Sequence, residues 1–143
     1  MKKNITLCVL GLMLGISLTV QANPKNQVEP AVHELSQKYM EAFCQGKNLD
    51  ILNSFTENAQ IVIEGEYQTI YYRKSTLQNF WNELGPIEQN SSCKTRIRSK
   101  MNDEYEISIV MHYPEFSIIN TLSIKKDPAD GVFKIFRLVK SFN

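Results

Sequence analysis

The chain has 143 residues, and its 16 lysines and arginines nearly balance 15 aspartates and glutamates, for a net charge of +1. A polypeptide of this length has room for one core, and so even a balance excludes the broadly basic surface of a nonspecific nucleic-acid or anionic-membrane binder. Two histidines and three cysteines leave few residues for metal or thiol chemistry.

The first segment has the three parts of a secretory signal peptide: Met1-Lys2-Lys3-Asn4, an apolar run over 5–20, and Val20-Gln21-Ala22 before the expected cleavage. Gly11 and Gly15 interrupt the run, which is also short for a membrane span. Residues 1–22 are therefore expected to be removed on export, taking Cys8 with them, and the product should be periplasmic or secreted. Without Lys2 and Lys3 the remainder stays near neutral. No nucleic-acid partner and no membrane association after signal removal are expected. Cys44 and Cys93 then face an oxidising compartment, where they either pair or remain two buried thiols.

Residues 23–29 are polar and aperiodic and read as a flexible leader; residues 30–143 read as a single domain. Over 31–45 the side chains Val32, Leu35, Tyr39, Ala42 and Phe43 recur at steps of three and four, which defines one apolar stripe on a helix. Gly46 suits its C-terminal cap, and Asn48 could cap a one-turn helix near 50–55. An apolar strand at 59–63, a turn at Glu64-Gly65-Glu66 and a second strand at 67–72 follow. The next helix, 75–84, carries Leu77, Phe80, Trp81 and Leu84 at helical spacing, with Ser75 placed to cap it and Gly85-Pro86 to stop it.

From there the period becomes two. Cys93, Thr95, Ile97, Ser99 and Met101 alternate with Lys94, Arg96, Arg98 and Lys100, and Ile107, Ile109, Met111 and Tyr113 alternate with polar neighbours. Asn102-Asp103 should turn between these strands. Two further strands, 116–124 and 132–141, are joined by the turn residues Asp127-Pro128 and Asp130-Gly131.

This order resembles the nuclear transport factor 2-like superfamily, which includes polyketide-cyclase-like and ketosteroid-isomerase-like proteins. The resemblance rests on Tyr39-Met40-Glu41-Ala42-Phe43, Gly46-Lys47-Asn48-Leu49-Asp50, Leu52, Phe55, the strand 59–63, Lys74-Ser75-Thr76-Leu77 leading to Phe80-Trp81, and Gly131-Val132-Phe133-Lys134-Ile135. It implies an α+β, cone-shaped fold in which a strongly bent antiparallel sheet wraps the long N-terminal helix and leaves a cavity. The chain departs from the family pattern at Arg73, where a glycine is common, and at Asn58, where an aspartate is common.

Enzymes of that superfamily place a carboxylate and a tyrosine or second acid on the cavity wall, tuned by burial. Here the rows expected to face the helix contain Thr95, Asn120 and Arg137 but no carboxylate. Glu64 and Glu66 read as a solvated turn, and His112 and His33 as surface residues. No catalytic residue, metal ligand set or cofactor is assigned. The candidate lining of a ligand cavity is Tyr39, Phe43, Tyr67, Phe80, Trp81, Thr95 and Asn120, with Tyr71 and Tyr72 as further aromatics. Each of these aromatics has a bland alternative as core packing.

Lys94, Arg96, Arg98 and Lys100 share one strand face without aromatic stacking partners, and Glu104 and Glu106 can pair with them across the turn, so a solvated face is the expectation. Asn90-Ser91-Ser92 matches a glycan acceptor by chance. The last strand is apolar on both faces, which calls for cover. Val110, Ile119, Phe136 and Leu138 are the candidate homodimer interface. The functional expectation is an exported domain that binds a small apolar molecule or a protein, without evident catalytic machinery. The alternatives are a ketosteroid-isomerase-like or cyclase-like enzyme using Tyr39 with Glu64 or Glu66, and a subunit of a secretion or envelope assembly.

Overall fold

The computed structural model describes residues 27–46, 49–84 and 91–143. The expected signal segment, the start of the leader, Asn48 and the Gly85-Pro86 stop lie outside the described residues. Helix α1 spans Pro30–Phe43 and begins with proline, whose missing N–H is tolerated in the first turn. Its buried face is Val32, Leu35, Ser36, Tyr39 and Ala42. Gly46 ends the helix in the left-handed region at φ +65°, with its N–H on the Ala42 carbonyl at 3.1 Å.

A 3-10 turn, Leu49–Ser54, leads into β1 (Phe55–Glu64), β2 (Thr69–Arg73), α2 (Lys74–Leu84), β3 (Ser92–Ser99), β4 (Tyr105–His112), β5 (Ser117–Lys126) and β6 (Phe133–Phe142). Helix α2 starts at Lys74, so Ser75 lies inside its first turn and is not the cap. Lys74 fixes that start by pairing with Glu57 at 2.7 Å. Asn102 and Asp103, at φ 60° and 56°, make the β3–β4 turn; both residue types tolerate this conformation through local hydrogen bonding.

The six strands form one sheet in the order β2-β1-β6-β5-β4-β3. The sheet is mixed, which corrects the expectation of a wholly antiparallel one: β1 and β6 run parallel. The chain leaves the β1–β2 hairpin through α2, enters the far edge at β3, and meanders back until β6 meets β1 with the same direction. Ile97, Ile107, Leu122, Leu138, Ile61 and Tyr72 form one row across all six strands on the inner face. That row and the α1 stripe belong to one hydrophobic core.

β6 carries an irregularity that decides what faces inward. Ser123 is opposite Arg137 while Ile124 is opposite Ile135, so Phe136 is an extra residue on β6. The alternation therefore changes phase. Phe133 and Ile135 are inward before the bulge, Leu138 and then Lys140 after it, and Arg137 is exposed. One step from the apolar row a partly polar row results, in which Thr95, Asn120 and Lys140 stand in register with Ile109 and Ile63.

Candidate functional site

Tyr39 points from the middle of α1 onto this polar row. Its hydroxyl donates to Asn120 Oδ1 at 3.2 Å, and both residues are fully buried. Burial alone pushes the Tyr39 phenol well above its ordinary range, so it stays neutral and acts as a donor. The Asn120 Nδ2 amide and the Ser36 hydroxyl are buried without a hydrogen-bond partner among the described residues. One turn along α1, the half-buried Phe43 ring stacks on Tyr39 at 4.2 Å and tilts against Trp81 of α2 at 4.6 Å.

Phe43 also meets Lys140 of β6. Its Nζ stands 4.8 Å from the Phe43 ring centre, a cation–π distance, and its Cα is paired with that of Asn120 on β5. Burial lowers its ammonium to about 8 from the ordinary 10.5. Among the described residues no carboxylate is within ion-pair distance of it. Lys140 is absent from the expected site residues because uninterrupted alternation from Val132 puts Lys134, Phe136, Leu138 and Lys140 on one outer face. The signal in the sequence was the apolar content of both faces of β6, which a bulge explains.

A pocket of about 360 Å³ opens beside Lys140, between α2 and the inner sheet. Its floor is Ile61 and Ile63 of β1, Ile118 of β5 and Phe142 of β6, and its wall is Tyr72 with Thr76, Leu77 and Phe80. Apart from the Lys140 ammonium, the Tyr72 and Thr76 hydroxyls are the polar side-chain groups on it. Such a surface can hold an apolar body and offer one cation at one end.

Four of the expected cavity residues, Tyr39, Phe43, Trp81 and Asn120, are linked to one another by ring and hydrogen-bond contacts and do not line this pocket, while Phe80 does, at 54% exposed. The other two lie elsewhere. Tyr67 is a correction: it is 91% exposed because the β1–β2 turn extends to Gln68, whose carbonyl takes the Gly65 N–H. Thr95 sits on the edge strand β3 and donates to Met40 Sδ of α1 at 2.8 Å. Tyr71 points out from β2, 65% exposed. Glu64 and Glu66 are exposed and line a separate groove with Glu115 and Phe116. Among the described residues no group of three His, Cys, Asp or Glu side chains is placed to hold a metal.

Cys44 and Cys93 form a disulfide. It ties the end of α1, one residue past Phe43, to the start of β3. On the outer face, Val110 and Ile119 are half-buried partners across β4–β5, and Phe136 lies there at the bulge under the Lys125 ammonium at 4.6 Å. Leu138 is a second correction: the phase change at Phe136 turns it into the core, fully buried. The basic ladder pairs in part, with Lys100 on Glu106 at 2.6 Å.

No protein-family model matches the chain, and no curated protein does. Solved structures do match it. An NTF2-like protein of unknown function from Methylobacillus flagellatus superposes with a TM-score of 0.63 at 17% identity, covering 82% of this chain and 96% of its own. An NTF-2 like protein of unknown function from Silicibacter pomeroyi gives 0.62 at 14% identity, over 79% and 93%. A ketosteroid isomerase-like protein from Erwinia carotovora atroseptica gives 0.60 at 10%, over 78% and 93%. The chain has the NTF2-like fold, and identities this low speak for the fold alone.

Proposed function

We propose that this protein is an exported domain that binds a small, largely apolar molecule in the pocket between α2 and the inner sheet. The observation that carries the reading is the pocket itself, 360 Å³ with isoleucine, leucine and phenylalanine over most of its surface. At the roughly 30 Å³ that a water molecule occupies, it takes on the order of a dozen heavy atoms. Export is supported by the signal-like N-terminus and by the disulfide, which persists in oxidising compartments.

An enzymatic reading using Tyr39 with Glu64 or Glu66 draws less support. The two glutamates are exposed at the β1–β2 turn while Tyr39 is sealed in the core, so neither can share a substrate atom with the phenol. A homodimer through the outer face is a second proposal, carried by the half-buried, uncovered side chains Val110, Ile119 and Phe136. The same face could serve a larger envelope or secretion assembly.

Mass spectrometry of the purified exported protein tests the binding reading. Under native conditions an adduct should appear that is lost on denaturation, and Ile63→Phe, which fills the pocket from β1, should abolish it. A bare mass for the wild type, with no uptake of an added apolar probe, would contradict the reading.

A further inference from the structure

Among the described residues the pocket contains one charged group, and its surroundings specify the ligand further. Lys140 faces isoleucine, phenylalanine and tyrosine side chains from β1, β2, β5 and α2. An ammonium ion in such a setting loses hydration that a single ring face, that of Phe43, does not replace. An alkyl side chain at this inward position would pack without that loss. Directly across the sheet, Asn120 spends its oxygen on Tyr39 and keeps an amide N–H donor buried and unused. Register partners of this kind have side chains side by side on one face. The Lys140 ammonium lines the pocket, whereas Asn120 is fully buried and does not.

We infer that Lys140 is the head-group site of the pocket and selects a monoanionic ligand: a carboxylate on an aliphatic or aromatic body of about a dozen heavy atoms. This inference rests on the binding reading above and names the ligand class for the same pocket. Charge balance sets the monoanion. Lys140 is the one basic or acidic side chain among the described lining residues, so a single negative charge cancels the single ammonium, whereas a phosphate dianion would leave net charge buried. A carboxylate oxygen can accept a charge-assisted hydrogen bond from that ammonium.

The ammonium titrates near 8, so it is charged at neutral pH and discharges in mild alkali. The other titratable groups packed around it are Tyr72 of β2 and Tyr39 of α1, whose phenol burial pushes well above its ordinary range. The described pocket residues of β1, β5 and α2 contribute none.

The test uses the single tryptophan, Trp81, which contacts Phe43, as a fluorescence reporter. The purified exported protein is titrated at pH 7 with decanoate, decan-1-ol and decyl phosphate, each below its micellar concentration. The wild type should bind decanoate at least about tenfold tighter than decanol, the worth of one charge-assisted hydrogen bond, and decyl phosphate more weakly than decanoate. Lys140→Met and Lys140→Gln should both lose that preference while still binding decanol, which also shows that they fold. Decanoate affinity, but not decanol affinity, should fall above pH 8. An unchanged decanoate-to-decanol ratio in both variants, or tighter binding of decyl phosphate, would overturn the head-group assignment and leave the apolar pocket standing. No binding of any probe to the folded wild type would remove the pocket reading and this inference together.

Discussion

The Lys140 ammonium lies 4.8 Å from the centre of the Phe43 ring, and the same ring stacks on Tyr39 at 4.2 Å. One aromatic side chain at the end of α1 therefore touches both a charged group on β6 and the phenol of a neutral buried hydrogen bond in the core. The two contacts make different demands on stability, and the consequences can be measured apart.

Lys140→Met should stabilise the unliganded protein. Among the described residues the ammonium has no counter-charge within ion-pair distance, and removing such a group from an apolar site typically gains about 1–3 kcal/mol. The sign with pH follows from the lowered titration point. Between about 8 and 10.5 the unfolded chain holds the Lys140 proton more firmly than the folded one, so wild-type stability rises with pH through that window. The advantage of the methionine variant should be full below pH 8 and shrink toward pH 10.5. Urea unfolding of both proteins at pH 7 and pH 10 measures the difference, and a constant gap would contradict the buried charge.

Tyr39→Phe should cost about 1–3 kcal/mol, because it leaves Asn120 Oδ1 buried with no donor. Asn120→Leu alone should be destabilising as well, since it orphans the phenol. The double variant should cost less than the sum, with a coupling of about 0.5–3 kcal/mol in a double-mutant cycle of chemical denaturation. Simple additivity would mean that the two side chains do not depend on each other.

Helix α1 and the strand β4 were legible from the sequence for the same reason: their buried side chains repeat at a fixed period without interruption, three-to-four for Val32, Leu35, Tyr39 and Ala42, two for Tyr105, Ile107, Ile109 and Met111. The site was legible only in part. Tyr39, Phe43, Trp81 and Asn120 lie on regular segments and could be placed. Lys140 and Leu138 follow Phe136, and one extra residue in a strand exchanges the faces of everything after it. The parallel β1–β6 pairing was hidden because a strand's partner depends on the route of the whole chain, not on local pattern. Tyr67 was misplaced because the β1–β2 turn runs two residues further than Gly65-Glu66 suggests.

The disulfide should contribute about 2–4 kcal/mol, since it closes a loop with a sequence separation of 49 residues. Reduction should lower the urea midpoint accordingly. It should also weaken ligand binding, because Cys44 anchors the end of α1 next to Phe43. Thiol titration of the exported, unfolded protein should find no free thiol before reduction and both Cys44 and Cys93 after it.

Light scattering should give a dimer mass, and Ile119→Lys, which puts a like charge opposite itself across a two-fold outer-face interface, should give a monomer. Pocket binding should be unaffected. A monomeric wild type at high micromolar concentration would contradict the outer-face pairing.

The most direct measurement is the NMR titration of the Lys140 side chain, assigned by its loss in Lys140→Met, with and without decanoate. The account has the free ammonium titrating near 8 and its midpoint moving up by about one unit or more when a carboxylate takes its place beside it. A midpoint near 10.5 in the free protein, or one that decanoate leaves in place, would contradict a buried cation waiting for an anionic ligand.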